Sequence, residues 1–411
     1  METKDPNAVA GRQHNRTRAM AAHVHGIATY KHFLLVFLGA LTAFGPMVTD
    51  MYLPALPSMT EWFGTSATKI QLSLTSCMAG LAIGQLIFGP LSDRYGRKHV
   101  LLTTLALFVA STVLCLAAPG IDAFVGARLL QGVAAAGSIV IARSVATDIY
   151  TGHELARILA VVGAINGVAP VMAPVIGGTM TETLGWRGIF AILLGLGVVL
   201  VASCLLYRES LPAEKRLGGD GNGLAAGVKA LLHNRRYVCY TLQMGFAQAA
   251  LFANISSAPF IMQQHYGFSP MSFSLCFGLN ACAVVLSAGL AARFSSMEKV
   301  TRNGSAGILL FAACECAALA SGCAFWIYEV LMVGMLFSLG LCFTASTAVA
   351  MDSGRDYSGC ASAMLGAVCF AFGGIVSPLV GMGDPMLSTG IVFVASALCS
   401  AACVLAAGRK A

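Results

Sequence analysis

Asp50 and Arg128 are ionisable residues set inside long apolar runs. A charge at the centre of a membrane helix costs about 2.5–3.5 kcal/mol on insertion scales, so such residues usually face a cavity or a partner. Burial favours the neutral form of a carboxyl, and a neighbouring cation favours the charged form. An acid under both influences can take up and release a proton near working pH. Asp50, in the outer half of its run, is therefore a candidate proton carrier. Its plainer role is a hydrogen bond to Tyr52 or to backbone exposed near Pro54. Arg128 lies at similar depth in its own run, with Gln131 on nearly the same helical face, and is the natural partner of Asp50. The alternative for this arginine is to snorkel to the surface.

Other polar residues supply the rest of a possible mechanism. Arg143 and Asp148, near the far end of the Arg128 run, are expected to form an inner gate with the loop around Asp93. An ion pair there can form in one state and break in another. Tyr52, Gln131, Asn254 and Asn280 are the uncharged polar groups expected to line a substrate cavity. Glu315 is expected to pair with a neighbouring helix or to stay protonated and structural, and Glu329 to lie at the membrane interface with Trp326 and Tyr328. The 14 cysteines fall nearly all in apolar runs, where free Cys behaves as a small hydrophobe. They offer no secreted-type disulfide framework and no spaced zinc set, so no metal is expected; Cys314-Glu315-Cys316 reads as two packed thiols. No HExxH, GxSxG or Walker pattern points to an enzyme.

The elements that position these residues follow from composition. The chain has 411 residues, 57% hydrophobic and 10% charged, with a mean hydropathy of +0.78. A soluble domain carries about 25% charged residues, and with under half that share this chain cannot cover a water-facing surface. At roughly 20 residues per spanning helix plus a loop, there is room for about twelve spans. The first runs from His32 to beyond Leu53. The others fall at about 70–91, 100–118, 123–148, 155–180, 187–206, 237–263, 272–294, 303–322, 324–350, 359–382 and 386–407. The runs are continuous rather than alternating, which disfavours a spanning β-barrel. The expected fold is thus all-α, a polytopic membrane protein of 12 transmembrane helices.

Twenty-one Lys and Arg residues fall on one side of that arrangement and only Lys69 and Arg187 on the other, with Arg128 and Arg143 inside span 4. The positive-inside rule then puts both termini in the cytoplasm. The net charge of +7 is a topology signal, and no nucleic acid is implied. The only extended polar segment, 207–236, contains Gly218-Gly219-Asp220-Gly221-Asn222-Gly223 and reads as a linker. It separates a six-helix bundle over 32–206 from a second over 237–407, with tails at 1–31 and 408–411. Gly/Pro interruptions recur in the two halves: Pro174, Gly177 and Gly178 in span 5 against Gly373, Gly374 and Pro378 in span 11. Paired interruptions point to a transporter built from repeats, with its site between them.

The segment after span 2 reads Gly89-Pro-Leu-Ser-Asp93-Arg94-Tyr-Gly96-Arg97-Lys98. Its pattern of glycines, one acid and three bases resembles the signature loop of the major facilitator superfamily. Asp50-Met-Tyr-Leu-Pro54 in span 1, Arg128-Leu-Leu-Gln131-Gly132 in span 4, and Ala169-Pro170 through Ala173-Pro174 to Gly177-Gly178 in span 5 narrow the likeness. With Glu209-Ser-Leu-Pro212 and Ala258-Pro-Phe260, they resemble the bicyclomycin-resistance (Bcr/CflA) branch of the drug:proton antiporters. Ala169 and Ala173 stand where the superfamily commonly has Gly before its Pro, and Thr147 where members often have a second Arg. No acid occurs over Ala40–Phe44, which disfavours a two-carboxylate cation mechanism.

The resemblance implies alternating access, with Asp50 and Arg128 coupling proton entry to export of a small lipophilic molecule. It implies a bent, tightly packed span 5 that seals one side through Pro170, Pro174, Gly177 and Gly178. The expected partners are a small-molecule substrate, protons and the lipid bilayer. No cofactor is expected beyond the proton gradient, the working unit is a monomer, and the location is a bacterial inner membrane. A metabolite, amino-acid or peptide transporter on the same scaffold, importers included, is the competing expectation.

Overall fold

In the computed structural model, which describes residues 30–150, 152–216, 222–291 and 293–408, every regular element is helical. The expected tail over 1–29, the Gly-rich stretch 217–221, and Arg409 and Lys410 lie outside the described residues. The helices are α1 (Tyr30–Trp62, with a turn of 3-10 helix at Leu53–Ala55), α2 (Ala67–Tyr95), α3 (Arg97–Ala117) and α4 (Ile121–Ile149). A segment Gly152–Leu206 follows, broken at Gly185 into α5 and α6. After a short linker helix, Asn222–His233, come α7 (Arg235–Phe260), α8 (Pro270–Ala291), α9 (Met297–Ala320), α10 (Phe325–Ser353), α11 (Ser358–Val376) and α12 (Pro385–Gly408).

Ten segments among the described residues are long and apolar enough to cross a membrane. The sequence expectation of twelve differs at two places. Spans 5 and 6 run together as one helical trace, yet the chain reverses within it. Gly39 meets Ile165, and Gly177 meets Met51, so α5 runs alongside α1 away from the linker. Gly197 meets Phe108, and Leu205 accepts a hydrogen bond from Lys98, so α6 returns along α3. Gly185, at φ 67° and ψ −173°, makes the turn in a conformation a side chain would resist. Span 7 forms helix α7, but Gln243, Asn254, Ser256 and Ser257 dilute its hydropathy. Large apolar side chains stand outward, among them Val36 at 70%, Leu286 at 69% and Leu405 at 67% exposure, as a lipid-facing surface requires.

Small residues set the packing, because lipid offers no hydrophobic drive between helices. Gly80 and Gly84 let α2 lie against the α4 backbone at Leu129 and Val133, and Gly132 returns the contact at Cys77. In the second half Gly340 of α10 lies against Val284 and Ser287 of α8. The halves meet along α5–α8 and α2–α11, where the interruptions recur. Gly178 packs on Ser274 and Pro270, and Gly373 and Gly374 on Met78 and Thr75.

The hydrogen bonds between halves all lie at the end away from the linker. Thr68 donates to Gly381 O at 2.6 Å, Gln71 to Ser256 O at 3.0 Å, Gln263 to Pro54 O at 2.9 Å, Met271 N–H to Glu182 at 3.0 Å, and Thr179 to the Met271 sulfur at 3.7 Å. Among the described residues none crosses at the linker end.

Candidate functional site

Arg128 is fully buried one to two turns into α4. Its guanidinium donates through Nη2 to the Val48 carbonyl at 3.0 Å and through Nη1 to Gln131 Oε1. Gln131 in turn donates to Thr112 Oγ1 at 2.7 Å, and that hydroxyl donates to Phe108 O at 2.7 Å. The central carbon of the guanidinium lies over the Tyr52 ring, 4.4 Å from its centroid, and 5.6 Å from that of Phe190. Tyr52 is itself fixed by Ser73, 3.2 Å from its hydroxyl. Trp186, Phe124 and Phe63 complete an aromatic wall around this centre. Arg128 therefore does not snorkel; hydrogen bonds from its two terminal nitrogens and the ring faces stand in for water, while its Nε has no partner among the described residues.

Asp50 is 6% exposed and forms no ion pair among the described residues, so the expected pairing with Arg128 is absent in this conformation. The arginine binds the backbone of the same helix two residues earlier, at Val48. Tyr52 and Gln131, expected to line a cavity, are consumed as partners of Arg128 and fully buried. Asn254 and Asn280 are buried as well, with Asn254 Oδ1 and both Asn280 amide atoms lacking a hydrogen bond. An open apolar recess of about 350 Å³ borders α1 and α5, lined by Met47, Ala43, Val168, Ala169 and Met172 among others.

At the linker end the expected loop after span 2 shrinks to one residue. α2 continues through Gly89, Pro90, Asp93 and Arg94 to Tyr95, and α3 begins at Arg97, leaving Gly96 at φ 93°. A Cβ there would crowd Glu209 and Arg216. Arg97 is the hub. It pairs with Asp93 at 2.5 Å and with Asp148 at 2.9 Å, and donates to Ser92 Oγ at 2.6 Å. Ser210 also donates to Asp148, at 3.1 Å, tying the start of the linker to α4. Arg94 stays exposed over the Tyr95 ring. The expected inner gate is therefore half formed. Asp148 joins the Asp93 lock, but Arg143 is exposed and forms no ion pair among the described residues. Five residues turn an α-helix by about 140°, so in this conformation Arg143 stands on a different face of α4 from Asp148.

Glu209 has no expected role in the sequence, yet it closes this lock. Its carboxylate accepts from the Arg97 and Lys98 backbone N–H groups at 2.9 and 3.1 Å, capping α3 from 111 and more residues away. Arg216 stands 3.8 Å behind it, and Lys98 donates to Leu205 O at 2.9 Å. An acid at a helix N-terminus satisfies orphan donors and complements the dipole. We expect Glu209→Ala to lower stability by about 1–2 kcal/mol and Glu209→Gln to recover part of it. Thermal unfolding of purified protein would show this; equal melting temperatures for all three would refute the capping role.

In α5, Pro170 and Pro174 lie inside the helix, where each removes a backbone donor. A Cβ on Gly177 would overlap the Met51 carbonyl and one on Gly178 the Ser274 hydroxyl. The first contact lies within the first half, and the second joins the halves.

A family model described as the Major Facilitator Superfamily matches residues 36–378. The chain is 35% identical over 363 residues to the "Uncharacterized MFS-type transporter YdgK" of Bacillus subtilis (strain 168), covering 85% of this chain and 89% of that one. It is 33% identical over 343 residues to the "Chloramphenicol resistance protein" of Pseudomonas aeruginosa, covering 81% and 78%. The "Bicyclomycin resistance protein homolog" of Haemophilus influenzae is 25% identical, with coverage of 84% and 88%. Among solved structures, a bacterial homologue of the human lysosomal transporter Spinster superposes with a TM-score of 0.68 at 16% identity, over 92% of this chain and 94% of that one. The nucleoside transporter NupG gives 0.70 at 15%, over 91% and 98%. Helical spans, signature lock and relatives agree: this chain is a multi-pass membrane transporter, not an enzyme, and belongs to the Major Facilitator Superfamily.

Proposed function

We propose that the chain is a proton-driven exporter of small lipophilic molecules, of the bicyclomycin-resistance (Bcr/CflA) type. Twelve helices cross the inner membrane of a bacterium as two bundles of six, with both termini and the linker in the cytoplasm. The basic residues clustered at the linker end support that orientation. The hydrogen bonds between the halves among the described residues lie at the opposite end, which supports reading this conformation as inward-open. The names of the drug-resistance relatives and the apolar recess beside Met47 and Met172 support a lipophilic cargo. No cofactor is required.

The observation that carries the reading is that Arg128 of α4 holds the Val48 carbonyl of α1, two residues before the buried Asp50 on that same helix. Ionised Asp50 draws the guanidinium from the Val48 carbonyl, and protonated Asp50 lets it return. Because Val48 lies on α1 and Arg128 on α4, that exchange moves the two helices that frame the site. Substrate binds from the cytoplasm with Asp50 ionised; the cavity turns outward; an external proton neutralises Asp50 and substrate leaves. One charge moving through 100 mV supplies about 2.3 kcal/mol, enough for roughly 50-fold accumulation.

Proteoliposomes holding the purified chain and a pH-sensitive dye inside test this. Adding chloramphenicol or bicyclomycin to a vesicle with a pH gradient is expected to evoke proton movement opposite to the drug. Drug flux without any proton movement would overturn the coupling.

A further inference from the structure

We propose that Glu315 and Glu329 form a second site for exchangeable protons, in the second half of the chain and independent of Asp50. Glu315 on α9 is fully buried, and Glu329 on α10 is 8% exposed. Among the described residues none of their four carboxyl oxygens makes a hydrogen bond of regular geometry, although the two carboxyls lie close enough to feel each other electrostatically. Two further buried side chains neighbour these acids, without regular partners of their own among the described residues. Asn280 of α8, 2% exposed, lies against the Glu329 carboxyl with neither amide atom in a regular hydrogen bond. The Tyr328 hydroxyl, fully buried, is likewise unpartnered and senses both acids.

Among the described residues the surrounding elements supply no counter-charge. α8 presents Asn280 and Cys276, the connection after α7 presents Tyr266, and the connection before α10 presents Cys323. Tyr266 already donates to Cys323 O at 2.9 Å. α12, which packs on α9 at Cys316 through Gly390, carries no Asp, Glu, Lys, Arg or His from Pro385 to Gly408. The remaining acid at this end, Asp384, caps the start of α12 through the Met386 N–H at 2.8 Å. His265 is the only basic residue at this end of the second half, and its exposed ring lies against Tyr266. No group of three acidic, Cys or His side chains among the described residues completes a metal site.

Paired buried acids without a cation can be neutralised only by protons. A purely structural pair would spend its hydroxyls on hydrogen bonds, whereas here two acids, an amide and a phenol are all left short, as in a site whose occupancy changes between states. Each acid releases a proton from its carboxyl oxygen to water when the site is wetted and recovers it when the site closes; no other bond changes. This extends the proton-coupled reading but does not need Asp50.

The test is infrared spectroscopy of the full chain in lipid bilayers, carrying Asp50→Asn so that Asp50 adds no carboxylic acid. A carboxylic-acid band is expected that shifts in heavy water and fades with rising pH. It should weaken in Glu315→Gln and in Glu329→Gln and be lost in the double variant. The unsubstituted chain gives a second readout, should a variant fail to fold. A hydrophobic carbodiimide labels protonated buried carboxyls, and labelling of each glutamate peptide should fall about tenfold per pH unit above its midpoint. A band or label indifferent to pH and heavy water would mean permanently neutral structural acids, and an unchanged spectrum in the double variant would mean no site; either overturns the proposal. The spectrum stands whatever the transport assay shows.

Discussion

Arg128→Lys is expected to cut transport at least about tenfold while keeping the charge, a loss of ~1.4 kcal/mol or more. The reason is geometric. Arg128 uses separate nitrogens for Val48 O and Gln131 Oε1 and holds its guanidinium carbon over the Tyr52 and Phe190 rings. An ammonium is one point and cannot reach both acceptors and stack at once. Arg128→Ala goes further: it strands the Val48 carbonyl and Gln131 and leaves a hole beneath Tyr52. By analogy with removing one partner of a buried ionic network, stability should fall by about 3–5 kcal/mol. Transport in proteoliposomes, read beside the melting temperature, separates the two effects. A lysine variant transporting at the wild-type rate would show that charge alone suffices.

Asp50→Asn should abolish gradient-driven accumulation, bringing a roughly 50-fold ratio to unity, while exchange of drug across the bilayer continues. Asparagine keeps the shape of the acid and mimics its neutral form at every pH. Wild-type substrate affinity should therefore be high at alkaline pH and fall on acidification, while the Asn variant stays at the low-affinity level throughout. Binding of chloramphenicol across a pH series measures this. An Asn variant that still builds a gradient would remove Asp50 from the coupling. The Gln variants at Glu315 and Glu329 offer a contrast, since they leave Asp50 and its exchange with Arg128 untouched.

Much of the site was legible because each feature is local. The acid in span 1, the Arg128–Gln131 pair three residues apart, and the glycines of the signature segment can each be read within a few residues. Gln131 and Asp148 do take part in networks around Arg128 and Arg97. Of the gate assigned to Arg143 and Asp148, only Asp148 is engaged in this conformation, and Arg143 stands on another face of the helix. The expectation for Glu329 failed on helical phase. Trp326, Ile327 and Val330 share the exposed arc of α10, while Glu329 falls on the buried arc with Tyr328, Met332 and Leu336. Proximity in sequence to an interfacial tryptophan misled where phase decided.

Composition alone determined that the solvent is lipid, because 10% charge cannot wet a 411-residue surface. Hydropathy marked the crossing segments, and the basic residues sorted to one end of them. Only the tertiary structure decided who partners whom. That Arg128 takes the Val48 carbonyl instead of Asp50, that Glu209 caps a helix more than a hundred residues earlier, and that two glutamates meet an asparagine without a cation are facts of packing between distant segments. A buried ionisable group must find partners, and that need is written in its residue type. Which partners it finds depends on how close the glycines let each pair of helices approach, a sum over the whole chain that no local pattern contains.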